Sequence, residues 1–233
     1  MSIKSATGFL APSVLSADFA ALGPAISALA DQPSCGWLHL DVMDGHYVPN
    51  LTIGPPVLKA LTKLSPLPAE AHLMIDNPAE SWAQYHQAGV ERIIVHPETV
   101  THLHRLAQAV TNAGCQFGLA LNPAQPLELL ALPYIGEFVS VVTLMTVNPG
   151  FPAQQLIMST TKKIAALAAE LSSLGLSEQV TIELDGGINA DNLPTLKAAG
   201  GQLFVAGNAI YGDGLAAVPA KLKALSEAYE SKA

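Results

Sequence analysis

A histidine, a carboxylate and a methionine alternate along Trp37-Leu38-His39-Leu40-Asp41-Val42-Met43, which runs into Asp44-Gly45. Read as a strand, Trp37, His39, Asp41 and Met43 share one face, while Leu38, Leu40 and Val42 share the other. An imidazole and a carboxylate two residues apart suit a divalent metal better than a solvated face. The pattern recurs. His72 and Met74 lie opposite Ala71, Leu73 and Ile75, and Glu183 and Asp185 lie opposite Val180, Ile182 and Leu184. One such residue alone would read as a satisfied core histidine or a helix-capping acid. His39, Asp41, His72 and Asp185 in matching positions read as one site for Zn²⁺, Mn²⁺, Fe²⁺ or Co²⁺, among which spacing does not choose. With open positions left, such a metal polarises a carbonyl and stabilises an enediolate. Two aspartates on different strands can remove and supply a proton on opposite sides of a substrate, as inversion α to a carbonyl requires.

These side chains must arrive at the C-terminal ends of several strands that converge, which a parallel barrel achieves. Apolar runs predict strands at 9–13, 37–41, 68–73, 92–95, 115–121, 138–143, 180–184 and 202–206. Helical patterns fall between them near 18–30, 55–64, 78–88, 99–113, 125–131, 155–174, 191–198 and 215–229, with Gly175 as a C′ residue. Eight β-then-α units predict an α/β fold, the (β/α)8 TIM barrel, as a single domain over residues 1–233. A doubly wound open sheet is the alternative.

Composition narrows the partners. Half the residues are hydrophobic, 13% are charged and the formal net charge is −8, which argues against nucleic acid or an anionic membrane. Arginine occurs only at Arg92 and Arg105, so a phosphate would be held mainly by backbone amides. Cys35 and Cys115 lack metal or redox spacing and read as reduced residues of a cytoplasmic protein. Lys4 ahead of apolar residues imitates a leader, but Pro12 and Asp18 interrupt it.

Glycines cluster where phosphate sits in barrels: Gly150 after strand six, Gly186-Gly187 after strand seven, Gly207 after strand eight. Met43, Met74 and Met145 close three strands on the inner face. Adaptable core packing is their plain reading, and an apolar floor beneath an enediolate the sharper one. His96, Pro97 and Glu98 read either as lining the cavity rim or as loop structure, His102 and His104 do not share a helix face, and Asp191 reads as a helix N-cap.

Several segments carry a family likeness: Pro12-Ser13-Val14-Leu15-Ser16-Ala17-Asp18-Phe19, Asp41-Val42-Met43-Asp44-Gly45-His46 through Pro49-Asn50-Leu51-Thr52-Ile53-Gly54-Pro55-Pro56, His72-Leu73-Met74, Asn148-Pro149-Gly150-Phe151 and Asp185-Gly186-Gly187-Ile188. Over nearly the whole chain the sequence resembles the ribulose-phosphate 3-epimerase family. The resemblance implies a TIM barrel that interconverts D-ribulose 5-phosphate and D-xylulose 5-phosphate at C3. It implies Asp41 and Asp185 as acid and base, both ligating one divalent metal with His39 and His72. It implies substrate contacts from Ser13, His72, Met43, Met74 and Met145, with Gly150, Gly186, Gly187, Gly207 and Asn208 around the phosphate. A homo-oligomer is expected.

There are two departures from the family pattern. Pro152-Ala153 stands where the family has Gly-Gly, removing one amide donor, and Asn208 replaces a serine. His96-Pro97-Glu98-Thr99 and Met145-Thr146-Val147 are similar to the allulose-6-phosphate 3-epimerases, so D-allulose 6-phosphate is the alternative substrate. A sugar-phosphate-binding paralogue without catalysis is the non-enzymatic alternative, and the aspartate pair argues against it. An aldolase working through a Schiff base needs a lysine in the barrel, and no predicted strand holds one.

Overall fold

The computed structural model describes residues 7–231, so Lys4 and the start of the leader-like run lie outside it. Its strands are β1 (Leu10–Pro12), β2 (Leu38–Met43), β3 (Ala69–Met74), β4 (Arg92–Val95), β5 (Gln116–Leu121), β6 (Val139–Met145), β7 (Thr181–Asp185) and β8 (Leu203–Ala206). The α-helices are α1 (Leu22–Ser27), α2 (Pro55–Leu64), α3 (Pro78–Gln87), α4 (Leu103–Asn112), α5 (Leu132–Ile135), α6 (Thr160–Ser173), α7 (Leu193–Ala198), α8 (Asn208–Tyr211) and α9 (Val218–Glu230). The strands are all parallel, and they pair in the order β1-β8-β7-β6-β5-β4-β3-β2. Parallel bridges from Leu10 to Cys35 and from Ser13 to His39 close the ring. That closure makes the fold a (β/α)8 barrel and rules out the open sheet.

Alternation along each strand divides the interior from the helix layer. On β2, Leu38, Leu40 and Val42 join the large core that includes Leu58 and Leu61 of α2, whereas His39, Asp41 and Met43 turn away from it. Each leucine buried in that layer is worth roughly 1.5–3 kcal/mol. Inside the barrel, Ile94, Ala120 and Val141 form a small separate cluster. Gly118 completes that level, since a Cβ there would come within 2.5 Å of Val141 and 2.9 Å of Ile94.

Helix boundaries follow local chemistry. Pro55 and Pro78 sit in the first turns of α2 and α3, where a missing N–H costs nothing, and α6 ends before Gly175 at φ +69° as predicted. Several expectations need correction. Helix 125–131 is a 3₁₀ turn, Leu127–Leu130, followed by α5, because Ala131 adopts φ +50° and breaks the run. Residues 155–159 are not helical: Ile157 N–H bonds Thr146 O at 2.8 Å, tying that segment across the barrel mouth. The stretches before α1 and α4 are likewise 3₁₀ turns, Phe19–Ala21 and Pro97–Thr99. Asp191 is not the cap of α7. Asn192 takes that position, and Asn189 Oδ1 accepts from the N–H groups of Asp191 and Asn192.

Candidate metal and active site

The register of β2 on β3 places Asp41 beside His72, and the last strand residue of β7 is Asp185. Asp41 Oδ1 lies 3.5 Å from His39 Nε2 and 3.7 Å from His72 Nδ1. Asp185 Oδ2 lies 3.9 Å and 3.4 Å from the same two nitrogens. Both imidazoles are fully buried, and both of these nitrogens lack a hydrogen-bond partner. A buried polar nitrogen without a partner is costly, and two aimed at one point between two carboxylates mark a place for a cation.

The donor set fits a divalent metal. Ligands about 2.0–2.2 Å from a tetrahedral centre sit roughly 3.4 Å apart, close to the separations found here. The electrostatics agree. Burial pulls the His39 pKa down, yet Asp41 and Glu70 lift it well above the usual imidazole value. His72 is depressed by burial and lifted by Asp185 and Asp41, with a net rise. Asp41 is penalised by burial, but the two imidazoles hold its carboxyl well below the usual range. The pocket therefore favours positive charge.

Beneath this cluster lies a second polar layer. Glu70 Oε1 meets His39 Nδ1 at 2.8 Å, and Glu70 Oε2 accepts from Arg92 at 2.7 Å. The Arg92 guanidinium also donates to Gln116 and lies 3.7 Å above the Trp37 ring. Burial, reinforced by the charge of Glu70, pushes Glu183 well above the usual carboxylate range, and its Oε1 accepts from Thr143 at 2.6 Å. Sequence reasoning missed the roles of Glu70 and Arg92. Glu70 stands two residues before His72 on the same strand face, and that spacing was the available signal.

Above the cluster a cavity of about 170 Å³ opens at the C-terminal ends of the strands. Asp41, Asp185, Ser13, Met43, Met74 and Met145 line its base and sides. Gly150, Gly186, Gly187, Gly207 and Asn208 line it as well, beside Pro152 and Ala153. His39 and His72 do not reach the cavity surface and sit behind the aspartates. Gly187, at φ +68°, could not carry a Cβ without meeting Leu156 N at 2.7 Å, so the loops after β6 and β7 close together here. The lining contains neither lysine nor arginine. Arg92 is spent on Glu70, and Lys163 donates to the carbonyls of Asn122, Pro123 and Gln125. Among the described residues, the cavity therefore has no amine for a Schiff base. His96 is not at the rim. It is fully buried, with Nε2 2.9 Å from His72 Nε2, and burial and His72 push it well below the usual imidazole value.

Residues 9–211 match the model of the ribulose-phosphate 3 epimerase family. A ribulose-phosphate 3-epimerase of Bacillus subtilis is 40% identical over 223 residues, covering 96% of this chain and 99% of that protein. One from Escherichia coli is 41% identical over 207 residues, covering 87% and 88%. Among solved structures, a mutant tryptophan synthase alpha-subunit from Pyrococcus furiosus superposes with a TM-score of 0.65 at 15% identity, over 95% of this chain and 98% of that one. At that identity the likeness concerns the barrel alone. Among the described residues, no helix is long and apolar enough to cross a membrane.

Proposed function

We propose, on the footing that this chain belongs to the ribulose-phosphate 3-epimerase family, that it inverts C3 of a ketose phosphate, D-ribulose 5-phosphate to D-xylulose 5-phosphate, with Asp41 and Asp185 as the proton-transferring pair. The observation that carries the reading is the position of the two carboxylates. They stand on β2 and β7, separated around the ring by β1 and β8, and both line the cavity floor. A ketose lying over that floor presents one face of C3 to each. One aspartate takes the C3 proton and leaves an enediolate, and the other delivers a proton to the opposite face. After product leaves, proton exchange of both carboxyls with solvent restores the starting protonation states.

Asp41 is well suited to begin as the base, because positive charge beside it, on His39 and His72 or on an ion they would hold, keeps it ionised. Met43, Met74 and Met145 form an apolar wall that excludes water, so the enediolate is reprotonated by an aspartate rather than by solvent. His39, Asp41, His72 and Asp185 would hold a divalent ion, which would supply positive charge for the developing oxyanion. The phosphate is held by backbone N–H groups around Gly150, Gly186, Gly187 and Gly207 and by Asn208.

The deciding experiment offers D-ribulose 5-phosphate and D-allulose 6-phosphate to metal-replete enzyme in D₂O. Deuterium at C3 should appear by NMR with the pentulose as the better substrate. Preference for the hexulose would move the assignment to the six-carbon sugar, and no C3 exchange with either would leave a sugar-phosphate-binding protein.

A further inference from the structure

The two imidazoles of the metal cluster are held from opposite ring nitrogens. His39 offers Nε2 to the cluster and is held through Nδ1 by Glu70, itself paired with Arg92. His72 offers Nδ1 and is held through Nε2 by a second imidazole, His96 Nε2, at 2.9 Å. At that separation one nitrogen must donate and the other accept. For His72 Nδ1 to present a lone pair to the cluster, its proton must sit on Nε2. His96 Nε2 is then the acceptor and its own proton is on Nδ1, the nitrogen facing Glu98 Oε1 at 3.7 Å. Glu98 is in turn fixed by Tyr47 Oη and Asn122 Nδ2, at 2.7 and 3.0 Å.

We propose that His96 is a positioning residue that fixes His72 as an Nδ1 metal ligand by accepting its Nε2–H, with its own proton on the far nitrogen, the side on which Glu98 lies. The inference rests on the metal reading above. A neutral acceptor orients the ring without adding negative charge beside Asp41 and Asp185, whereas His39 is held by a charged one. His96 Nδ1 makes no hydrogen bond, so replacing this buried ring removes one hydrogen bond together with its packing on Tyr47 and His72, and His96→Phe keeps an aromatic ring there.

The test compares wild type, His96→Phe and His96→Gln for Co²⁺ retention against a competing chelator, read from the visible absorption of the bound ion. His96→Phe should weaken retention by about 10- to 100-fold. His96→Gln, whose amide oxygen can accept, should recover most of that loss. If His96→Phe does not fold, His96→Leu takes its place. NMR of Zn²⁺-loaded wild type should show His72 protonated at Nε2. Equal retention in His96→Phe, equal losses in both variants, or His72 protonated at Nδ1 would each overturn the proposal. Failure of the wild type to take up Co²⁺ at all would overturn the metal reading and this inference with it.

Discussion

Ser13 Oγ donates to Asp41 Oδ2 at 2.5 Å, across the seam where β1 meets β2. The bond divides the carboxylate: Oδ1 faces the two imidazoles, and Oδ2 is tied to a hydroxyl at the cavity wall. Ser13 was expected to touch substrate. In this structure it donates its one proton to the proposed base and accepts from Leu15 N–H, which leaves a lone pair free to accept from a substrate hydroxyl.

Ser13→Ala should therefore disturb Asp41 before it disturbs substrate affinity. A hydrogen bond to a charged group contributes roughly 1.5–3 kcal/mol, and its loss makes the carboxylate easier to protonate. The acid limb of the kcat/KM–pH profile should move up by about one unit while KM at neutral pH changes little. An unmoved acid limb with a raised KM would return Ser13 to a purely substrate-binding role.

Asp41→Asn and Asp185→Asn should each lower kcat by at least ~10²-fold, the lower end of what general acid–base catalysis supplies. The two variants should differ in which epimer still exchanges its C3 proton with solvent, because each retains the group serving one face. Metal content must be measured alongside, since both residues are proposed ligands. Near-normal turnover in either variant removes that aspartate from the mechanism.

Exhaustive chelation should abolish activity, with Zn²⁺, Mn²⁺, Co²⁺ and Fe²⁺ restoring it to different extents. His39→Ala and His72→Ala should each weaken retention of the ion. The raised His39 and His72 pKa values set the pH dependence. A metal must displace the protons these rings hold, so its affinity should rise with pH until both are neutral. Metal affinity independent of pH, measured by competition titration, would contradict the assignment of these rings as ligands.

Glu183 gives a stability prediction of the opposite sign to an ordinary carboxylate. Burial and the charge of Glu70 hold its carboxyl well above the usual carboxylate range, so as pH rises past that range the folded protein keeps a proton that the unfolded chain loses. Stability falls as pH rises through that window, by about 1.4 kcal/mol per pH unit at most. Glu183→Gln mimics the protonated acid and keeps an oxygen for Thr143, so it should remove that slope. Relative to wild type the variant should gain stability as pH rises above the ordinary glutamate range, measured by chemical denaturation. A variant that loses ground as pH rises would show that Glu183 folds ionised.

The barrel and the four inward His and Asp residues were legible because alternation along a strand states which side faces in. Leu38, Leu40 and Val42 could not be inside if His39 and Asp41 were. Contacts between strands were not legible. His72 meets His96, and Glu70 meets Arg92, through the register of β3 on β4, which no single strand encodes. The Ser13–Asp41 contact depends on closure of the ring, which strand counting left open. Helix α8 was missed because four residues are too short to show a period. The segment 155–159 read as helix because its pattern runs on into α6, while the bond from Ile157 to Thr146 holds it elsewhere.

The loop after β6 bears the last prediction. Pro152 and Ala153 line the cavity, and Ala153 adopts φ +59°, a conformation glycine takes without strain. Asn50 Nδ2 donates to Gly150 O at 2.7 Å, and Gln154 Nε2 donates to Asn148 O and Phe151 O at 2.7 and 2.9 Å. These bonds anchor the loop on both sides of Pro152, so a glycine there restores an amide without freeing the whole segment. One hydrogen bond to a charged group is worth roughly 1.5–3 kcal/mol, or at least tenfold in affinity at about 1.4 kcal/mol per decade. Added chain entropy offsets part of it. Pro152→Gly should thus lower KM for the phosphorylated ketose by up to roughly tenfold, and Ala153→Gly added to it should relieve strain without a further donor. Neither change should alter binding of the unphosphorylated sugar, because only the phosphate meets the new N–H. A KM for the phosphorylated substrate that stays level or rises in Pro152→Gly would mean that the loop does not hold phosphate. The case for a pentulose 5-phosphate would then weaken, while the proton chemistry assigned to Asp41 and Asp185 would stand on its own test.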